Sequence, residues 1–223
     1  MMVVSASAAS YNNLTDKDEI VNKDAVSMLV SLGIIEGKPD GSYGPTENVD
    51  RAQMAKMLSV IMNKGVDNSA LYQSVNSGLV DVNTNWAKGH INYCYTTGII
   101  AGRGNGKFDP SATVTALEAA KMLLVAVGYD PAIEGFEGAD WAINVSVRAD
   151  EQGIFEGFTK DLSAPLNRDD AALLIYNALD VEMIQSYTTN NYPIVYSDHR
   201  TILSDKYGVI KVEGVVTANE WAI

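Results

Sequence analysis

The sequence predicts a mainly α-helical fold: three helix–loop–helix units sharing one core, followed by a short β-rich C-terminal segment. Three observations predict it. A 26-residue phrase is written twice, as GIIEGKPDGSYGPTENVDRAQMAKML from Gly33 to Leu58 and as GIIAGRGNGKFDPSATVTALEAAKML from Gly98 to Leu123. Apolar residues recur at helical spacing on both sides of each glycine-containing loop. Of the 223 residues 47% are hydrophobic and only 20% charged, a composition that can build a buried core.

The phrase belongs to a longer repeat with a shift of 65 residues. Leu14 aligns with Leu79, Asp16 with Asp81, Val26 with Ile91, Tyr43 with Phe108, Pro45 with Pro110 and Lys56 with Lys121, without insertion or deletion. A third, more worn copy follows. Trp86-Ala87 recurs as Trp141-Ala142 and Gly98-Ile99 as Gly153-Ile154. The loop then shortens, and LNRDDAALLI (Leu166 to Ile175) aligns with VTALEAAKML. The units run over residues 14–66, 79–130 and 136–182, preceded by a leader and linker at 1–13 and followed by a tail at 188–223. A unit of this size cannot bury its own apolar face, whereas three together can.

Within the first unit, EIVNKDAVSMLVSLG places Ile20, Ala25, Met28, Leu29 and Leu32 on one helical face. Gly33, Gly98 and Gly153 stand where each first helix must stop, and glycine there closes the last carbonyls with a positive φ. The turn KPDGSY follows, with Pro39 presetting φ and Asp40-Gly41 supplying turn chemistry; Asn105-Gly106 does the same in RGNGKF. Each second helix opens on capping-box spacing: Asp50 with Gln53, Thr115 with Glu118, Asn167 with Asp170. The short Asp170 makes the third box the weakest. Val49, Val114 and Leu166 precede the caps as hydrophobic staples. Met54, Met57 and Leu58, then Met122 and Leu123, then Leu173 and Leu174, read as core faces.

The two ends differ from the middle. In MMVVSASAAS, Ala6-Ser7-Ala8 fits the pattern before a signal-peptidase cut, so the N-terminus reads as the tail end of a signal peptide. From Val181 the chain is rich in Val, Ile, Tyr and Thr, and Gly208 to Thr217 alternates like a strand. That reads as the start of a β-containing domain, or as a hairpin packed on the third unit.

Composition excludes several functions. A net charge of -12 leaves no basic footprint for nucleic acid. No apolar run reaches the roughly 20 residues of a membrane span. The single cysteine, Cys94, reads as a small buried apolar residue. His90 and His199 lack a metal-like neighbour pattern, no nucleophile or phosphate motif occurs, and the pair Asp169-Asp170 is accounted for by helix capping. The expectation is a non-enzyme without catalytic residues, metal or cofactor.

The ordered motifs resemble those of the S-layer homology (SLH) domain, whose pattern runs F-x-D-V, W-A, G-I-[IV]-x-G, x-D-G-x-F-x-P, I-T-R-A-E. The second unit follows it with LVDV (Leu79–Val82), Trp86-Ala87, GIIAG (Gly98–Gly102), GNGKFDP (Gly104–Pro110) and VTALEAA (Val114–Ala120). The first unit has LTD, GIIEG, PDGSYGP and VDRAQMA; the third keeps WA, GIFEG and LNRDDAA without the turn motif. The resemblance covers roughly residues 14 to 180. It implies a pseudo-threefold, three-pronged spindle around a central three-helix bundle. It also implies non-covalent anchoring of an exported, secreted protein to the bacterial cell wall. The implied ligand is a secondary cell-wall polysaccharide, usually bearing a pyruvate ketal, bound in grooves between units, with peptidoglycan as the other wall polymer.

The family arginine of I-T-R-A-E is matched by Arg51 and Arg168, while Ala116 occupies its place in the second unit. A guanidinium suits a carboxylate-bearing sugar, and the free N–H groups expected at the first helical turn would favour the same anion. Trp86 and Trp141 hold the family's tryptophan position, where a ring either stacks on a sugar or fills a core gap; Val21 stands there in the first unit. Asp40 and Asn105 are turn formers first and groove residues second. The alternative reading is a structural or adhesive module of a surface-layer protein that binds protein partners or peptidoglycan, with self-assembly carried by regions C-terminal to this chain.

Overall fold

The computed structural model describes residues 10–211. The signal-peptide reading at residues 1–9 and the strand reading at residues 212–217 lie outside them. The described residues are mainly helical, with seven α-helices and one two-stranded sheet. The helices are α1 (Lys23–Ser31), α2 (Arg51–Met62), α3 (Lys88–Thr96), α4 (Ala116–Val127), α5 (Trp141–Glu151), α6 (Arg168–Ala178) and α7 (Ile202–Tyr207). Strands β1 (Ile184–Tyr187) and β2 (Pro193–Val195) pair antiparallel.

The first helix of each unit ends as its glycine dictates. Gly33, Gly98 and Gly153 have φ of 70°, 78° and 70°. Gly33 N–H bonds Val30 O and Ile34 N–H bonds Leu29 O. The same pair of bonds joins Gly98 to Tyr95 and Ile99 to Cys94, and again Gly153 to Asp150 and Ile154 to Ala149. This is the Schellman closure, written three times. The start of α1 differs from expectation. Ile20 is buried but precedes the helix, which begins only at Lys23. Asn22 is held across the molecule instead: its backbone N–H and side-chain amide bond the Asp169 carboxylate at 3.0–3.3 Å.

The second helices start at their predicted caps. Asp50 with Gln53 and Thr115 with Glu118 form complete capping boxes. Asn167 accepts from Asp170 N–H, but Asp170 makes no return bond and its carboxylate pairs with Lys160. Asp169 has no capping role; it serves Asn22.

The staple residues do more than cover helix ends. Val49 N–H bonds Leu166 O, Leu166 N–H bonds Val114 O, and Val114 N–H bonds Val49 O, each at 2.8–2.9 Å. Three backbone bonds thus close a ring through the three units, with all three side chains essentially buried. Packing follows the same cycle. The first helix of each unit lies on the second helix of the preceding one: α3 on α2, α5 on α4, and α1 on α6, while α4 touches both α2 and α6. A single hydrophobic cluster runs through all of them and includes Met54, Leu58, Leu123 and Leu174.

The tail is a hairpin plus a helix. Residues 202–207, expected as part of a β-rich tail, instead form α7 because Thr201 and Ser204 complete a capping box. Residues 208–211, expected as the start of a strand, carry no regular structure. The tail spans two units: Leu203 N–H bonds Leu179 O beyond α6, and Tyr207 Oη donates to Ile61 O in α2.

Candidate functional site

Two grooves open at the seams between units, and they are built from equivalent positions. The first is lined by Glu36, Lys38, Lys56, Met57, Trp86 and Arg168, with Gln53 beside them. The second is lined by Ala101, Arg103, Lys121, Met122, Trp141 and Arg51, with Glu118 beside them. Each groove therefore takes a turn and a second helix from one unit, an arginine from the preceding unit and a tryptophan from the following one. Arg168 and Trp86, and Arg51 and Trp141, all expected from the sequence, come together in these pairs. Asp40 and Asn105 line neither groove and sit exposed at the turn tips. Asp40 accepts from Ser42 N–H and Oγ, and Asn105 adopts a positive φ of 51° in a turn closed by Lys107 N–H to Gly104 O.

The lysines at the equivalent positions 56 and 121, and the basic residues Lys38 and Arg103, were not singled out from sequence. The 65-residue shift preserves both basic positions, a signal that could have found them.

Each arginine is seated by contacts within the protein. Arg51 Nε bonds Phe108 O at 2.8 Å and Nη2 bonds Ala101 O at 2.9 Å, with the guanidinium 4.3 Å from the Phe108 ring centroid. Arg168 repeats this on Tyr43 O, at 2.8 Å, and Glu36 O, at 3.2 Å, over the Tyr43 ring. Each therefore docks on the turn and motif aromatic of the next unit, through hydrogen bonds and a cation–π contact. Nη1 of each makes no protein hydrogen bond among the described residues and is the part of the guanidinium left for a ligand. Burial, reinforced by nearby Arg103, lowers the Arg51 pKa to about 10, so it remains cationic at neutral pH.

The expected free N–H groups at the helix starts are absent. In α2, Arg51 N–H bonds Ala112 O, Ala52 N–H bonds Pro110 O and Gln53 N–H bonds Asp50. In α6 the partners are Glu47 O, Pro45 O and Asn167. Neighbouring turns have consumed the donors an anion would have used, so attraction rests on side-chain cations. The turns are fixed in turn by Asp16, which accepts from Tyr43 and Gly44 N–H, and Asp81, which accepts from Phe108 and Asp109 N–H. Burial opposes charge on both carboxyls, but the backbone donors outweigh it and hold each pKa below the usual range.

The tryptophans are presented differently. Trp86 is 58% exposed, whereas Trp141 is half-buried with Lys121 Nζ 5.7 Å from its ring centroid. At the third seam the aligned positions hold Ala116, Leu173 and Val21 instead of arginine, lysine and tryptophan.

Comparison with known proteins decides the family. The sequence model of the S-layer homology domain matches residues 13–55 and 80–120. The chain carries S-layer homology domains. A cell surface protein of Thermoanaerobacter kivui is 31% identical over 82% of this chain and 24% of its own length. A middle cell wall protein of Brevibacillus brevis is 28% identical over 82% of this chain and 17% of its own. The exoglucanase XynX of Acetivibrio thermocellus is 28% identical over 78% of this chain and 16% of its own. The chain thus spans a quarter or less of these relatives. As an SLH-bearing chain it is a secreted, cell-wall-associated surface protein. No helix among the described residues is long and apolar enough to cross a membrane.

Proposed function

We propose that the chain is a non-enzymatic anchor holding an exported protein to the cell wall. It does so by binding an anionic, pyruvylated secondary cell-wall polysaccharide in the two grooves. The three sequence units, 14–66, 79–130 and 136–182, form a pseudo-threefold spindle in this reading, with α2, α4 and α6 as its central bundle. The closed ring of backbone bonds through Val49, Leu166 and Val114 supports that symmetry.

The observation that carries the ligand reading is the shared equipment of the grooves. Each has an arginine with Nη1 free, a lysine, a second basic side chain and a tryptophan. Sugar rings stack on indole faces, and a ketal carboxylate seeks guanidinium and ammonium groups. The net charge of -12 does not forbid this, because at wall ionic strength charges beyond about 8–10 Å are screened. The third seam lacks all three ligand-directed side chains and takes no part. The cargo varies among the relatives, which include a cell surface protein and an exoglucanase, so catalysis or lattice assembly belongs to regions beyond this chain.

The test is sedimentation with purified cell-wall sacculi, before and after hydrofluoric acid strips their secondary polysaccharide. The chain should sediment only with untreated sacculi. The quadruple variant Lys56→Gln, Lys121→Gln, Trp86→Ala, Trp141→Ala should stay in solution while keeping its helical circular dichroism. Sedimentation that survives acid treatment would replace the polysaccharide with peptidoglycan or a protein partner.

A further inference from the structure

The two grooves share their parts but not their charge balance. In the second, Glu118 is the third residue of α4. One carboxylate oxygen accepts from Arg103 Nη2 at 2.7 Å and the other from Thr115 N–H at 3.1 Å. Its side chain is only 20% exposed, so the carboxylate is fixed inside the groove. The equivalent residue in the first groove is Gln53, whose Oε1 makes the same bond to Asp50 N–H without charge. Lys38, which stands in for Arg103, pairs instead with Glu47, which does not line the groove. Each groove has one further carboxylate near its lysine, Glu36 in the first and Glu137 in the second. Among the carboxylates that line the grooves, Glu118 is therefore the difference.

We propose that Glu118 makes the second groove a self-neutralised, weaker anion site. The first groove, with neutral Gln53 at that position, is then the primary seat of the anionic sugar. The inference rests on the glycan reading above. A ligand carboxylate entering the second groove must compete for Arg103 with a carboxylate already bound to it, and two like charges at one guanidinium repel. Presentation runs the same way. Arg51 is 4% exposed and Trp141 is half-buried beside Lys121, whereas Arg168 is half-buried and Trp86 largely exposed. Space alone would rank the grooves in reverse, since the second is the larger, about 410 Å³ against about 220 Å³.

The indole N–H resonances of Trp86 and Trp141 report each groove separately. They would be assigned with Trp86→Phe and Trp141→Phe and followed during titration with the methyl glycoside of a 4,6-pyruvylated hexosamine. The carboxylate methyl ester is the neutral control. The Trp86 signal should move at about tenfold lower concentration of the acid than Trp141, with the ester erasing the gap. Glu118→Gln keeps the capping acceptor, as Gln53 does in α2, and should bring Trp141 to within about threefold of Trp86. Gln53→Glu should push Trp86 towards the weaker value. Trp141 moving first, or both substitutions leaving the order unchanged, would overturn the ranking while leaving the glycan reading standing. Neither indole moving with the acid would overturn both.

Discussion

Two seams of this molecule carry an arginine strut and one does not. Where α2 meets the second unit and α6 meets the first, a guanidinium lies on a buried aromatic ring and ties two loop carbonyls. Where α4 meets the third unit, fully buried Ala116 takes the arginine's place; the helix start keeps the backbone tie Leu117 N–H to Leu162 O, and elsewhere on the seam Lys121 lies over Trp141 and Arg148 over Tyr129. The third unit has also lost its turn motif, with its aromatic. The two absences are physically coupled: an arginine without a turn to dock on would be a buried, unpaired cation. The motif arginine is thus a structural tie as well as a proposed ligand contact.

Removing a strut should have the largest effect. Arg51→Ala should lower unfolding free energy by about 3 kcal/mol in urea titrations, because two carbonyls lose their donor and a ring its cation. Arg51→Lys should recover less than half, since an ammonium cannot reproduce the fork. Building a strut where no partner exists should also fail. Ala116→Arg should cost about 2 kcal/mol by overpacking and should add no binding to sacculi. Arg168→Ala, at a more exposed seam, should cost about 1–2 kcal/mol by the same urea measurement.

Two smaller effects depend on pH. Asp16 and Asp81 brace the turns on which the arginines dock. Their folded pKa values lie below the unfolded ones, so their stabilisation is present above about pH 4 and is lost as pH falls through the folded values. Asp81→Asn should cost about 1 kcal/mol at pH 7, and the gap from wild type should close on acidification. The smallest effect belongs to His90, buried against Ser59 Oγ at 2.6 Å. Burial, aided by Lys56, lowers its pKa despite Asp67, so the folded state resists its protonation. Stability should therefore fall by about 1 kcal/mol or less as pH drops below about 6.5, and His90→Asn should flatten that slope.

Local signals in the sequence were accurate where the cause is local. Gly33, Gly98 and Gly153 end helices, and Asp50, Thr115 and Asn167 begin them, because caps involve residues a few positions apart. Reading Asp169 as part of a cap failed because its partner, Asn22, is distant in sequence. Extending α1 back to Ile20 failed because Asn22 was already held by that carboxylate. The groove arginines and tryptophans were legible through the family pattern, but the donors at the helix starts were not, since they are satisfied by turns of another unit. The shared fate of Ala116 and the third turn was present in the letters; only the cyclic packing links them. In the tail, Val- and Tyr-rich composition pointed to strands, and the Thr201–Ser204 box made a helix over part of it.

The ring of bonds through Val49, Leu166 and Val114 makes the first and last units neighbours, so position along the chain and position around the axis are different orders. Most of this seam joins residues more than a hundred positions apart, and it closes only after the third unit has emerged from synthesis. Such non-local closure is slow. A chain re-spliced to begin in the linker before the second unit, with its old ends joined, would build the same three seams in a different sequence of events. Its folding rate would change while its final architecture did not.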